Sequence, residues 1–189
     1  KNDQLARLLQ LGLALALVFI APVCAGEKKT GKHLFILSGQ SNMTGAVKAA
    51  FTAHVEEQYG KENSVVVMRM KSGRGIRFWV ADYDQPADRG LNEKKMTSNG
   101  MEYKPLLETA LAAVKAQSFD TVGFIWMQGE SDANNRLSEV YEESFLKLVG
   151  QLRKDLKRVD LYYVIGRIND YAKSRPDNVH WKRVRETKI

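Results

Sequence analysis

Four short runs of apolar and β-branched residues, at 34–37, 65–70, 122–127 and 161–165, are separated by stretches whose apolar residues recur at helical spacing. That alternation restricts the fold more than any other feature of the chain. A strand with one wet face alternates apolar with polar residues. These runs are continuous instead, which suits parallel strands buried on both faces. Parallel neighbours need a crossover between them, and the intervening segments supply it. Leu107, Ala110, Leu111 and Val114 fall on one face behind Pro105, a residue suited to the first helical position. Tyr141, Phe145, Leu148, Val149, Leu152 and Leu156 form a stronger stripe. Ser138 with Glu139, Glu142 and Glu143 suits the start of that helix, and Lys154, Lys157 and Arg158 suit its end by complementing the helix dipole. The pattern predicts βαβ units in a three-layer α/β/α sandwich with a parallel sheet.

Two of the strands end in sequences that can carry chemistry. The first runs into Gly39-Gln40-Ser41-Asn42-Met43 and the third into Gln128-Gly129-Glu130-Ser131-Asp132. Open α/β sheets bind their ligands outside the carboxyl ends of the strands. A serine hydroxyl attacks only when a base takes its proton and donors hold the oxyanion that forms. Ser41 is the candidate nucleophile, with Gly39 allowing a sharp turn before it; a serine or asparagine here can equally cap the helix that follows. Gln128 can offer a side-chain amide to an oxyanion, and Gly73, in Lys71-Ser72-Gly73 after the second run, a backbone N–H. Glu130 and Asp132 have the chemistry of an acid–base pair or of metal ligands, but no histidine cluster accompanies them, so no metal is expected. Residues 26–32 have the spacing of a phosphate-binding loop. His33 follows where Ser or Thr is needed, and the stretch precedes a strand instead of following one, so that reading is rejected.

The Gly39–Met43 motif together with Trp126-Met127-Gln128-Gly129-Glu130-Ser131-Asp132 resembles the SGNH hydrolase superfamily, in its sialate O-acetylesterase and carbohydrate esterase family 6 branch. The resemblance extends over residues 32–185. It implies a flavodoxin-like parallel sheet and a serine ester hydrolase, free of cofactors, that removes O-acetyl groups from carbohydrate through an acyl-serine. Ser41 matches the family nucleophile and also donates its backbone N–H. Gly73 matches the second oxyanion donor, and Gln128 the amide donor that this branch uses in place of asparagine. The family's base is a histidine three residues after an aspartate, near the C-terminus and beyond a fifth strand. Asp177 and His180 have that spacing, but no fifth strand precedes them and a helix is expected over 181–186. The expectation is that this pair is coincidental, and that the sequence is truncated before the last strand, the last helix and the working Asp–His. His33, ahead of the first strand, and His54, in a helix expected over 51–59, read as structural.

Residues 11–20 are unbroken in their apolar character, behind Lys1 and Arg7. A membrane-spanning helix needs roughly 20 such residues, so this run is too short. With Val23-Cys24-Ala25 behind it, residues 1–25 are expected to be a signal peptide, cut after Ala25. One esterase domain over 26–189 would remain, without cysteine, secreted or periplasmic, and with no stable membrane insertion. The formal charge is +7, but Lys147, Arg153, Lys154, Lys157 and Arg158 lie on what read as helix faces, without interleaved aromatics, and no nucleic-acid partner is expected. Residues 79–103 lack periodicity and read as a long loop. The expected partner is an acetylated carbohydrate. The alternative is a catalytically silent carbohydrate-binding protein on the same fold, using the aromatic-bearing loop around Trp79 and Tyr83.

Overall fold

The computed structural model describes residues 31–86, 97–169 and 179–187. The expected signal peptide and Asp177 lie outside the described residues. The strands are β1 (His33–Gly39), β2 (Ser64–Met70), β3 (Thr121–Met127) and β4 (Tyr162–Ile165). The helices are α1 (Gly45–Tyr59), α2 (Tyr103–Ala116), the short α3 (Glu130–Asn134), α4 (Tyr141–Asp155) and α5 (Val179–Arg185). All four strands are parallel, in the order β2-β1-β3-β4. The α/β fold with a parallel sheet is the one expected from the strand and helix patterns.

Local chemistry explains the helix starts. Thr44 Oγ1 accepts a hydrogen bond from Val47 N at 3.2 Å and caps α1, so capping is not the task of Ser41. Pro105 stands at the third position of α2 instead of the first. It is tolerated there because the first-turn N–H groups have no partner within the helix. A 3-10 turn, Ser138–Val140, precedes α4, so that helix begins three residues later than its acidic start suggested.

Leu34, Ile36, Val122, Phe124 and Trp126 form one face of the sheet and belong to the core with Leu106 of α2 and Phe145 of α4. Phe124 stacks on Phe145 at 6.3 Å. The hydroxyl of Tyr103 donates to Asp155 at 2.7 Å and ties α2 to α4. On the opposite face Phe35 meets Phe51 of α1 edge-on at 5.4 Å, and the His33 ring lies 4.1 Å from Tyr59. Continuous apolar runs suggested strands buried on both sides, but only β1 comes close to that. Along β3 buried and half-buried residues alternate, and Tyr162 and Val164 of β4 are 68% and 61% exposed. Among the described residues α1 alone packs on this face, over β1 and β2, and leaves the β3–β4 half open.

The segment expected to be a long loop begins as core. A 3-10 turn, Ile76–Trp79, packs against α4, and Trp79 is 0% exposed, edge-on to Trp126 at 5.1 Å. Tyr83 is buried as well. The two aromatics suggested for sugar recognition are therefore packed inside, because their apolar area is worth more against Trp126 and the core than in water. Residues 87–96 of that loop lie outside the described residues. No helix among the described residues is long and apolar enough to cross a membrane.

Candidate active site

The chain leaves β1 to lay β2 on one side and later returns to lay β3 on the other. The carboxyl ends of β1 and β3 thus flank the point where the winding reverses, the usual place for a ligand crevice. Gly39 closes β1 with φ +137°, and a side chain there would overlap the carbonyl of Met127. Two bonds fix this corner: Gln40 N donates to Met127 O at 2.9 Å, and Lys71 N donates to Gly39 O at 3.0 Å. Met43 N then donates to Gln40 O at 2.9 Å and closes a turn. Ser41 and Asn42 stand exposed at its tip, anchored by the buried Met43.

The strand order sets what stands beside Ser41. The loop after β1 lies between the loop after β2 and the loop after β3. On the β2 side Gly73 adopts a left-handed φ of +68°, with open space where a side chain would begin. On the β3 side stands Gln128, 1% exposed. Its Nε2 donates to Asp132 Oδ2 at 2.5 Å and lies 3.2 Å from Gln40 Oε1 and 3.3 Å from Arg74 O. Its backbone carbonyl accepts from the Tyr141 hydroxyl at 2.5 Å, and that hydroxyl accepts from Trp126 Nε1 at 3.1 Å. The structure thus sets Ser41, Gly73 and Gln128 on three adjacent strand ends, with the Gln128 amide turned toward protein acceptors.

Sequence reasoning missed Gln40. Its Oε1 faces the Gln128 amide and accepts from Ser131 N at 3.2 Å, joining the turn of Ser41 to the first turn of α3. The only signal for it was its place directly before Ser41. Glu130 and Asp132 do not act on one another. Glu130 Oε1 accepts from Asn42 Nδ2, whereas Asp132 points inward and accepts from Gln128 and from Ile76 N at 2.9 Å. No group of His, Cys, Asp and Glu among the described residues could hold a metal ion.

Burial dominates the electrostatics. It pushes the Asp132 carboxyl up to about 6, against the opposing pull of the Gln128 amide, the Ile76 N–H and, more weakly, Arg77. The Arg77 guanidinium, 3.9 Å over the Phe78 ring, is lowered from its ordinary value by desolvation. The Tyr83 and Tyr141 hydroxyls are raised, first by burial and then by the charge of Asp132.

The histidines are elsewhere. His33 Nδ1 pairs with Thr121 Oγ1 at 2.7 Å at the amino end of β1, roughly 20 Å along the strand from Ser41. His54 is exposed on α1. His180, on α5, has Nδ1 2.8 Å from Ser138 Oγ. It lines a cavity of about 670 Å³ with Glu139, Glu142 and Arg183, and neither Ser41, Gly73 nor Gln128 borders that cavity.

The chain was compared with known proteins. The family model described as carbohydrate esterase, sialic acid-specific acetylesterase, matches residues 86–189. The match takes in β3, the Gln128–Asp132 junction, α4 and α5, while Ser41 and Gly73 precede it. No curated protein matches the chain.

Proposed function

The chain belongs to the carbohydrate esterase, sialic acid-specific acetylesterase family, and on that premise we propose that it removes O-acetyl groups through an acyl-enzyme formed on Ser41. Family membership makes the protein a carboxylic-ester hydrolase acting on carbohydrate. The mechanism is our reading of the strand ends. Ser41 Oγ attacks the acetyl carbonyl carbon and gives its proton to a general base, the role that the family resemblance assigns to a histidine, as in a serine triad. The carbonyl π electrons move onto oxygen. The Ser41 and Gly73 backbone N–H groups and one hydrogen of Gln128 Nε2 receive that oxyanion. Gln128 can turn this hydrogen toward it because its contacts to Gln40 and Arg74, at 3.2 and 3.3 Å, are the long ones. Collapse expels the sugar oxygen, which takes the proton back from the protonated base. Water then repeats the sequence on the acyl-serine and releases acetate.

The observation that carries this reading is the order β2-β1-β3, which sets an exposed serine between a left-handed glycine and a buried amide. Ser41→Ala should abolish acetate release from an acetylated sugar while the circular dichroism spectrum stays unchanged. Equal activity in the variant would sink the proposal. A second reading, a silent carbohydrate binder, draws on the bonds of His33 to Thr121 and of His180 to Ser138, and on the exposed place of His54 on α1. Glycan binding by the native protein without acetate release would favour it. We further propose that residues 1–25 direct the protein out of the cytoplasm. A mature N-terminus at Gly26, read by sequencing protein from its native source, is the expected result.

A further inference from the structure

We propose that Asp132 is the positioning residue of this site, holding the Gln128 amide and the loop after β2 in the arrangement an oxyanion needs. The inference rests on the Ser41 reading for its catalytic consequence and on geometry for the rest. Asp132 is fully buried on α3, and one oxygen, Oδ2, accepts from both Gln128 Nε2 at 2.5 Å and Ile76 N at 2.9 Å. Ile76 is three residues beyond Gly73. The intervening Gly75 presses on the same carboxylate: a side chain there would begin 3.2 Å from Oδ1. One carboxylate thus ties the end of β3 to the loop that follows β2.

The amide nitrogen of Gln128 has two hydrogens and three acceptors nearby. The bond to Asp132 is the shortest, and an ionised acceptor makes it roughly twice as strong as a neutral one. It claims one hydrogen firmly and leaves the other to weaker acceptors that an oxyanion can replace. It also fixes the rotation of the amide, since Oε1 turned toward Asp132 would bring two acceptors together. Burial raises the Asp132 carboxyl to about 6, so above that pH it is ionised and can only accept, as both of its bonds require. Arg77 is the charged group that acts on the Asp132 carboxyl, and the charge of Asp132 in turn raises the hydroxyls of Tyr83 and of Tyr141 on α4.

The test begins with a readout that needs no turnover. In the ¹⁵N-labelled chain, the Gln128 side-chain amide is identified by its loss in Gln128→Glu. One of its protons should lie downfield and titrate with a midpoint near 6. In Asp132→Asn it should stay displaced without titrating, and in Asp132→Ala it should move to the position of a free glutamine. Steady-state acetate release is the second arm. Asp132→Ala should lower kcat by about 10- to 100-fold per folded molecule with KM nearly unchanged, and Asp132→Asn should recover most of it. A purely structural role would leave kcat per folded molecule alone. A Gln128 resonance indifferent to Asp132→Ala overturns the proposal, and so does a folded Asp132→Ala protein with the wild-type kcat. A wild type that releases no acetate counts against the Ser41 reading only, and the amide resonance then decides whether Asp132 orients Gln128.

Discussion

Gln128 Nε2 lies 3.2 Å from Gln40 Oε1, a contact between residues 88 positions apart that joins the turn carrying Ser41 to the end of β3. It follows from the register. Gly39 pairs with Met127, so the next residues of the two strands leave the sheet side by side. Both side chains are buried. The contact belongs to a network that continues through Ser131 and Asp132 into α3 and through Ile76 into the loop after β2. Changes within it should register in stability and in catalysis together.

Gly39→Ala tests the corner before the nucleophile. With φ +137° and the Met127 carbonyl in the way, a methyl group must push β1 and β3 apart at their ends. Backbone strain of this kind costs on the order of 1–3 kcal/mol before any overlap is counted. A melting temperature lower by several degrees, with acetate release lost, is expected from scanning calorimetry and an acetate assay. An unchanged melting temperature would show that the corner has more room than the structure gives it.

Tyr141→Phe removes one hydroxyl and leaves two buried groups without a partner. Trp126 Nε1 loses its acceptor and the Gln128 carbonyl loses its donor. At about 1–3 kcal/mol for each unsatisfied group, a loss of roughly 2–6 kcal/mol is expected in urea unfolding. A variant as stable as wild type would mean that the hydroxyl bonds are replaceable.

The pH dependence of stability carries the signature of Asp132. Its folded carboxyl titrates at about 6 against an ordinary 3.8, so the folded state holds the proton more tightly than the unfolded chain. The stability linked to that proton is complete below about pH 4 and is lost as the pH rises through 6, by roughly 3 kcal/mol. Asparagine cannot ionise. The stability of Asp132→Asn relative to wild type should therefore rise by roughly 3 kcal/mol between pH 4 and pH 7.5, measured by urea unfolding at both. A constant difference across that window would place the Asp132 carboxyl at its ordinary value.

His180→Ala separates the Asp177–His180 spacing from catalysis. Loss of a general base lowers the rate by roughly 10²–10⁴-fold. With Nδ1 of His180 bonded to Ser138, in a cavity that Ser41, Gly73 and Gln128 do not border, acetate release should instead persist within about threefold of wild type. A collapse of kcat in a folded variant would return His180 to the mechanism.

Much of the fold was legible because it depends on composition and period, which are local. The runs that became β1 to β4 were apolar and β-branched in the right places, and the stripe from Tyr141 to Leu152 did become the buried face of α4. The misjudged elements were those whose burial depends on a distant partner. Nothing local separates Trp79 and Tyr83 from a sugar-binding pair; only the tertiary packing, Trp126 of β3 against Trp79 among it, makes them core. The open half of the sheet was hidden for the same reason, since Tyr162 and Val164 look like core residues and are exposed only because no described helix covers them.

By itself the sequence determined the parallel α/β plan and the three strand ends on which Ser41, Gly73 and Gln128 stand, because strand ends are set by where an apolar run stops. The tertiary structure alone decided how those ends are joined. Hydrogen bonds are directional and short, so the roles of Gln40, Ile76 and Asp132 depended on a sheet order and register that place residues more than fifty positions apart within 3.2 Å of one another. Sequence spacing gives no hint that a carboxylate four residues beyond Gln128 turns inward to meet a loop from the other side of β1.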